Sequence, residues 1–404
     1  MNNHLLTNAQ IVTPACHFTG SIEIADGVIA AIHKNRTFKR GIDLKGAWLI
    51  PGCVDIHSDW LESELRPRSG ASFPLPLALH FLDVRAATCG ITTVFNTIRF
   101  CDEESESRTF EQAICMARQI DEVRHGMLLR HFLQARIGPH TDTLVGRLAD
   151  LQALQSLRMV VFNDNIPGER QYSLNQRIEM GMRELGTSWE ETRDRLLAQI
   201  QEARELNHRM VIYDAFKDKC AFGSHHDTTV AQIVEAGSSR SFLAEMPTTL
   251  AAARKAKEAG MWVSMDAPNY FRGRSHSGSL AAVDAMEEDL VDILCSDYHF
   301  PTILGSVVRM IDEGMAPNKA VNMVTLNPAR LLRLDHEIGS ITVGCKADLV
   351  AFRSERAFAS VNSVWVDGVR KFTADYTGDV TSLGVHPDRS VVSKPDNAYP
   401  WTSY

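Results

Sequence analysis

The middle of the chain alternates between short apolar runs rich in β-formers and longer stretches with helical periodicity. Eight of the runs read as strands, at residues 50–60, 90–98, 127–137, 157–165, 219–227, 241–247, 260–269 and 290–299. This alternation is typical of parallel βα units, and eight of them can close into a (β/α)8 barrel of the α/β class. For the fifth strand, RMVIYD at 209–214 is an equal alternative. Ser188-x-x-Glu191 predicts a capping box at the start of a helix.

Both ends of the chain are rich in strands instead. SIEIADGVIAAI and SVWVDGVRKF each fold back at an Asp-Gly pair, which suits a two-residue hairpin turn. We therefore expect residues 1–50 and 335–404 to form one small β-sandwich domain, with the barrel at 51–334. The last part, residues 374–404, is rich in Pro, Asp and Ser, and no regular structure is predicted for it.

Composition narrows the class of protein. The chain of 404 residues has 23% charged and 44% hydrophobic residues, which fits an ordinary globular protein. A net charge of −8 argues against a nucleic-acid partner. No apolar run approaches the roughly 20 residues that span a bilayer, and the first ten residues lack the features of a signal peptide. Eight cysteines without a C-x-x-C pair fit reduced thiols. We expect a cytoplasmic protein without a membrane partner. The sequence leaves open whether it forms a homo-oligomer.

Polar residues that could bind a metal stand where the apolar runs end. His57 and Asp59 end the first strand and share one of its faces, His225 or His226 ends the fifth, and Asp297 ends the eighth. A barrel gathers the carboxyl ends of its strands at one rim, so these side chains should meet there. A single buried histidine is more often a core residue than a ligand. Four residues of this kind at one rim favour a divalent metal, with Asp297 placed to accept a proton from water.

The loop after the seventh strand, NYFRGRSHSGS, predicts an anion site. Arg272 and Arg274 can pair with phosphate oxygens in two-pronged fashion, and Gly and Ser let backbone N–H groups approach. Asn269 and His276 flank them, and Arg170 follows the fourth strand. The alternative for any one arginine, and above all for Arg170, is a solvated surface residue.

Several motifs resemble a known family. PGCVDIHSD, CSD at 295–297, NPARLL and GSITVGCKADLV are similar to the amidohydrolase superfamily of metal-dependent hydrolases. HSDWLESELRPR, SHHDTT, AEMPTT and APNYFRGRSHSG resemble, within it, the diphosphatase family of the bacterial carbon–phosphorus lyase pathway. The resemblance runs from Ala47 to Phe372. It implies a barrel joined to a β-sandwich, and hydrolysis of α-D-ribose 1-methylphosphonate 5-triphosphate to the 5-phosphate and pyrophosphate.

The resemblance also implies roles for residues. The metal, zinc in the first place with manganese, iron and magnesium open, would be held by His57, Asp59, His225, Asp297 and Glu245. Catalytic roles fall to Asp297 and His276, and contacts with a phosphorylated sugar substrate to the set Arg272, Arg274, Asn269, Arg170 and Asp164.

Two positions depart from the family. Arg136 stands where the family has a metal-ligating glutamate, and Asn165 stands where it has a histidine. Three interpretations follow: a diphosphatase with a mononuclear site, a related metal hydrolase acting on another phosphorylated sugar or an amide, or a binding protein without catalysis. Joint retention of four candidate ligands disfavours the third: His57, Asp59, His225 and Asp297.

Overall fold

The computed structural model describes residues 3–376 except 69, 101–108, 141, 165, 167, 169–172 and 356–357. The predicted tail therefore lies outside the described residues from 377 onward. The strands, in chain order, are β1 (His4–Val12), β2 (His17–Ala25), β3 (Val28–Lys34), β4 (Ile42–Asp43), β5 (Trp48–Pro51), β6 (Cys53–Ser58), β7 (Ile91–Phe100), β8 (Arg130–Ile137), β9 (Leu157–Phe162), β10 (Ala221–His225), β11 (Leu243–Glu245), β12 (Trp262–Asp266), β13 (Ile293–Cys295), β14 (Leu349–Glu355), β15 (Phe358–Val366) and β16 (Val369–Thr373).

The helices surround and connect these strands. They are α1 (Trp60–Leu65), α2 (Leu75–Thr88), α3 (Phe110–Val123), α4 (Asp142–Gly146), α5 (Leu148–Gln152), α6 (Leu174–Leu185), α7 (Trp189–Glu205), α8 (Arg209–Phe216), α9 (Val230–Ser238), α10 (Leu250–Glu258), α11 (Ala267–Arg272), α12 (Ala282–Glu287), α13 (Thr302–Asp312), α14 (Pro317–Asn322) and α15 (Leu326–Leu331). Within the part of the chain that the structure describes, every helix is too short or too polar to cross a lipid bilayer.

Strands β6 to β13 form the predicted parallel barrel. They pair in chain order, and a parallel bridge between Ser58 and Asp297 joins the first to the last. Helices cover the outside while side chains fill the inside, so both faces of each strand are apolar or tightly packed, as in the nearly continuous run LRMVVF of β9. The predicted (β/α)8 fold is confirmed. It places the carboxyl ends of all eight strands at one rim.

The fifth strand is β10, as predicted first. The alternative segment, RMVIYD at 209–214, is wrong as a strand because it lies in helix α8. Its apolar residues recur at helical spacing: Ile212 and Phe216 are buried, while Met210 and Val211 face outward. The predicted capping box before α7 is present. The backbone N–H of Ser188 donates to Glu191, and that of Glu191 donates to the Ser188 hydroxyl.

The two ends of the chain meet in one mixed sheet. Its order is β16-β15-β14-β5-β1-β2-β3, with β4 also pairing β1. Both Asp-Gly turns are as predicted: Asp26 and Gly27 have φ of 50° and 82°, and Asp367 and Gly368 have 49° and 73°. Positive φ at both central residues is the type I′ geometry that suits twisted hairpins. The predicted β-domain built from both chain ends is therefore confirmed.

A buried ion pair ties this sheet to the barrel. Arg130, at the start of β8, donates to Asp348 at 2.6 Å and to Asp367 at 2.8 Å. The carboxylate of Asp348 also accepts the backbone N–H of Asp367. Because Asp348 is only 3% exposed, it depends on these partners. The clamp fixes the sheet against the amino-terminal end of the barrel, away from the rim.

Candidate metal centre

Five of the predicted site residues come together at the carboxyl rim of the barrel. His57 lies in β6, Asp59 directly precedes α1, His225 and Glu245 are the last residues of β10 and β11, and Asp297 follows β13. Backbone bonds close the barrel here. The N–H of Asp59 donates to the carbonyl of Asp297 at 2.8 Å, and the N–H of Asp297 donates to that of His57 at 3.0 Å. The first and last strands thus hold His57, Asp59 and Asp297 side by side.

Glu245 orients the two histidines. Its carboxylate is fully buried and lies 3.0 Å from Nδ1 of His57 and 2.8 Å from Nδ1 of His225. Gln134 donates to the same group at 2.8 Å. A carboxylate facing Nδ1 keeps the proton on that nitrogen, so the Nε2 lone pair of each ring is left for another partner. The two rings lie parallel, 5.5 Å apart.

The pKa values agree with neutral imidazole at His225 and a charged Glu245. Burial and the neighbouring Arg136 lower the pKa of His225 to about 3. Burial alone would raise the pKa of Glu245, but the two adjacent imidazoles hold it well below its usual value. Glu245 faces the Nδ1 atoms of both rings, and it also forms a candidate metal-binding group with His57 and His225, so its predicted role as a ligand stays a prediction.

The spacing of the remaining donor atoms fits a divalent cation. Nε2 of His57 lies 3.6 Å from an oxygen of Asp59 and 3.7 Å from an oxygen of Asp297. Ligand atoms about 2.1 Å from a tetrahedral cation lie about 3.4 Å from one another. Imidazole nitrogen with carboxylate oxygen is a donor set that zinc, manganese and iron accept. The residues present thus form a candidate metal site of His, Asp and Glu groups.

Asp297 has the environment expected of a group that exchanges protons. Burial raises its pKa to about 7, and the nearby carboxylate of Asp59 adds to the rise despite the opposing effect of His57. Its backbone adopts a φ of 51° and that of His226 a φ of 57°. Non-glycine residues at positive φ are uncommon and gather at functional sites.

Arg136 lies against the same donor atoms. Its Nη2 is 2.5 Å from Nε2 of His57, and its Nη1 is 3.4 Å from Asp59. The sequence placed this arginine at the end of the third strand, where it could not act as a ligand. The structure adds that its guanidinium contacts two residues of the candidate metal site.

A cavity of about 260 Å³ opens directly onto the site. Asp59, Arg136, His225 and Asp297 line it. Hydroxyl groups at every second residue of one loop line it as well, namely Ser275, Ser277 and Ser279, whose Oγ atoms are 3.1 Å and 3.0 Å apart in turn. A wall of hydroxyls beside a cationic loop suits the oxygens of an anionic substrate.

The remaining predicted residues, namely the catalytic candidate His276 and the substrate-contact candidates, separate into two groups, of which the first lies at the cavity. Asn269 and His276 line it. Both polar ends of the Asn269 amide are already used, one donating to the carbonyl of Leu280 and the other accepting from Ala282. Asn269 therefore shapes the serine loop. His276 is exposed, and its ring meets the edge of Tyr298 at 5.9 Å.

The second group lies elsewhere. Arg272 is exposed, with its guanidinium carbon 5.9 Å from the centre of the Tyr298 ring, and Arg274 is partly buried in the same loop. Asp164 does not line the cavity, and its carboxylate is paired with Arg209 and 3.4 Å from His140. That internal ion pair is a structural reason against its predicted contact with substrate. Arg170 and Asn165 lie outside the described residues.

The sequence did not single out three further features of the site. Gln134 supports Glu245 from two residues before Arg136, and the period of two along β8 could have placed both on one face. His226, left open as a ligand, lines the cavity while His225 holds the position beside His57. The sequence analysis treated the alternating serines only as small residues near the arginines. Their spacing of two residues was not used to predict that their hydroxyls lie together.

Comparison with known proteins agrees with this picture. A family model described as the amidohydrolase family matches residues 177–371. The alpha-D-ribose 1-methylphosphonate 5-triphosphate diphosphatase of Escherichia coli (strain K12) is 30% identical over 379 residues, covering 91% of this chain and 100% of that protein. The adenine deaminase of Clostridium botulinum (strain ATCC 19397 / Type A) is 36% identical over 95 residues, which cover 21% of this chain and 16% of that protein.

Solved structures share the fold. The N-acetylglucosamine-6-phosphate deacetylase of Pasteurella multocida superposes with a TM-score of 0.62 at 13% identity, over 92% of this chain and 100% of that one. The dihydropyrimidinase of Brevibacillus agri NCHU1002 gives a TM-score of 0.59 at 13% identity, over 91% and 94%. At these identities the structures speak for the fold alone. From the full-length relative, the chain is a hydrolase of the amidohydrolase superfamily and belongs to the family of the alpha-D-ribose 1-methylphosphonate 5-triphosphate diphosphatase.

Proposed function

We propose that this protein is a metal-dependent diphosphatase that releases pyrophosphate from a ribose 5-triphosphate, with α-D-ribose 1-methylphosphonate 5-triphosphate as the first candidate substrate. The observation that carries the proposal is a pair of candidate metal-binding groups that share His57, namely His57, His225 and Glu245 and His57, Asp59 and Asp297, beside a hydroxyl-lined cavity. Full-length similarity to a diphosphatase of that name supports the choice of substrate class.

In this proposal the cation is held by Nε2 of His57 and His225 and by carboxylate oxygens of Asp59 and Asp297. Glu245 and Gln134 keep both rings turned toward it. A divalent cation bound there supplies Lewis acidity toward a phosphoryl oxygen and lowers the pKa of a coordinated water to about 7. Zinc is the first expectation for such a site, with manganese, iron and magnesium as alternatives.

The side chains supply the remaining steps. Asp297 takes a proton from the attacking water on its carboxylate oxygen, because it stands at the closing edge of the barrel within 3.7 Å of His57. The water oxygen bonds to the α-phosphorus, and the bond from that phosphorus to the α,β-bridging oxygen breaks. The electron pair leaves on pyrophosphate.

His276 and the three alternating serines line the cavity, and they stabilise the charge that builds on the departing pyrophosphate. Arg272 and Arg274 precede them in the chain but do not line the cavity, so their phosphate contact stays a prediction. Placed this way, the ribose end of the substrate lies toward the mouth of the cavity. The proposed partner is thus a small phosphorylated sugar.

Measurement of pyrophosphate release tests the proposal. Protein freed of metal by a chelator and reloaded with one metal at a time should release pyrophosphate from the ribose triphosphate in a metal-dependent way. The Asp297→Asn variant, loaded in the same way, is the matched control and should be inactive. If no metal restores pyrophosphate release to the wild-type protein, the proposed function is wrong.

The position of Arg136 favours one second candidate. A cation that contacts His57 and Asp59 could instead receive an anionic group of another substrate, such as a different phosphorylated sugar or an N-acyl compound. Parallel assays of metal-loaded protein on ribose triphosphates and on N-acyl amino sugars separate the two. Amide cleavage without pyrophosphate release would replace the first proposal by the second.

A further inference from the structure

Arg136 lies on strand β8, and its side chain extends from there to the candidate metal donors. It follows Gln134 by two residues on β8, and Gln134 is fully buried, donating to the carbonyl of Ile56 and to Glu245. Side chains two apart on a strand share a face, so the Arg136 side chain leaves the barrel interior directly at the rim. There it donates toward Nε2 of His57 and toward Asp59.

The contact with His57 uses the lone pair that a metal would need. Glu245 lies 3.0 Å from Nδ1 of His57, and in the tautomer that carries the proton on Nδ1 the Nε2 atom accepts from the guanidinium. One lone pair serves one partner. A cation at about 2.1 Å from Nε2 and a guanidinium nitrogen at 2.5 Å from it would occupy nearly the same space.

The acidic groups around His57 favour a cation at the site. Asp59, Asp297 and Glu245 each place a carboxyl oxygen within 3.7 Å of a nitrogen of the His57 ring. Such a group of acids in a buried place is stable only with positive charge beside it. The guanidinium provides that charge from within the chain.

We propose that Arg136 is a tethered cation that competes with the divalent metal for His57 and Asp59. When the metal takes these donors, the guanidinium turns into the adjoining cavity, where it binds a phosphoryl oxygen of the substrate. The turn needs rotation of the side chain only, because Arg136 already forms part of the cavity wall. This inference rests on the metal site of the proposed function.

The competition sets how tightly the metal binds. A ligand's apparent affinity falls with the fraction of protein in the competent state, and here the competent state is the one with Arg136 turned away. Removal of a charge-assisted hydrogen bond of this kind should tighten metal binding by about 10- to 100-fold. The metal-free protein should at the same time lose stability, because the acids are left without their cation.

The test compares zinc and manganese affinities, measured by competition with a coloured chelator. Arg136→Met keeps an unbranched apolar stem but is shorter and has neither charge nor donors, and it should bind each metal about 10- to 100-fold more tightly than the wild type. Its metal-free thermal midpoint should be lower. Arg254→Met removes an equal charge from an exposed pair with Glu288 and should leave both properties unchanged.

Two outcomes overturn the inference. Equal or weaker metal binding by Arg136→Met would show that the guanidinium does not compete. If that variant does not fold, Arg136→Gln keeps a polar head group without the charge and should bind metal more tightly than wild type, and unchanged affinity there would count against competition.

A second measurement separates the role toward substrate. Inorganic tripolyphosphate should bind metal-loaded Arg136→Met about tenfold more weakly than metal-loaded wild type. Equal binding would remove the phosphoryl contact from the inference and leave the competition standing. Because metal affinity is measured without turnover, a protein that shows the competition but releases no pyrophosphate would refute the proposed function and not the competition.

Discussion

Replacement of Glu245 by glutamine should weaken the metal site through the tautomers of its histidines. The carboxylate now faces three donors: Nδ1 of His57, Nδ1 of His225 and the amide of Gln134. A glutamine side chain of the same shape offers one acceptor oxygen and one NH₂ group. One histidine would then face a donor, and its proton would move to Nε2, where the cation binds.

The size of the effect follows from the groups involved. Partners that orient metal-ligating histidines typically contribute 10- to 100-fold to metal affinity, which corresponds to about 1.4–2.8 kcal/mol. The free energy of unfolding should change by less than the free energy of metal binding. A buried donor left without an acceptor costs about 1–3 kcal/mol, but removal of the buried charge of Glu245 offsets part of that loss.

The assay is a metal titration of the metal-free protein with a competing chelator, together with a urea unfolding curve. Asp83→Asn is the matched control. Asp83 is a buried carboxylate on α2 that accepts from Nε2 of His131 at 3.0 Å and from two backbone N–H groups, so its loss should lower stability while metal affinity stays within about threefold. Wild-type metal affinity in Glu245→Gln would refute the reasoning. Equal losses of affinity in both variants would refute it as well.

Three further predictions concern the chemistry, the clamp and pH. Asp297→Asn should lower pyrophosphate release by about 10²- to 10⁴-fold with an unchanged circular dichroism spectrum, and retained activity would exclude it as the base. Arg130→Met should lower the free energy of unfolding in urea by about 2–4 kcal/mol, because it leaves the buried carboxylate of Asp348 unpaired. The control Arg254→Met, at an exposed pair, should change it little, and equal effects of the two variants would contradict the clamp. Burial alone would lower the pKa of His140, but hydrogen bonds to Asp164 and to a backbone carbonyl raise it. The folded state therefore favours the protonated ring, and its contribution is present at low pH and lost as pH rises through the folded pKa. His140→Gln should thus destabilise the protein more at about pH 5.5 than at about pH 8.5, and a loss independent of pH would contradict this.

The sequence was sufficient for the fold because its signals are local. Each barrel strand is an apolar run bounded by turn residues, and the β2–β3 and β15–β16 hairpins each carry an Asp-Gly pair that favours the observed positive φ values. The segment at 209–214 shows the limit of this approach. A short apolar run suits a strand or a helix, and the choice there depends on burial against Phe222, to which Tyr213 packs with ring centres 5.0 Å apart.

The sequence predicted which residues lie near one another at the site, but not how their side chains contact each other. Strand ends identify His57, Asp59, Glu245 and Asp297 as neighbours, because barrel closure is a general rule. The contact of Arg136 with His57 depends on how one long side chain turns, which no periodicity encodes.

The substrate contacts predicted for Asp164 and Asn269 stay predictions, and the sequence did not indicate which partners these side chains have within the protein. Each was chosen as a polar residue at a strand end, yet each has its polar atoms engaged within the protein. Asp164 pairs with the buried Arg209, 45 residues away in the chain, and Asn269 holds the backbone of the serine loop. Partners so distant in sequence cannot be assigned from spacing.

The mixed sheet has a consequence for how the protein is made. In it, Ile50 of β5 pairs with Val350 of β14, so partners about 300 residues apart share one ladder. A ribosome adding about 5–20 residues per second needs roughly 15–60 seconds between them. During that interval the nascent chain carries β5 with one open edge, which invites pairing with other chains. The amino-terminal strands of the sheet therefore need β14 to cover the open edge of β5. A chain interrupted before β14 should be recovered as aggregate rather than as a folded barrel.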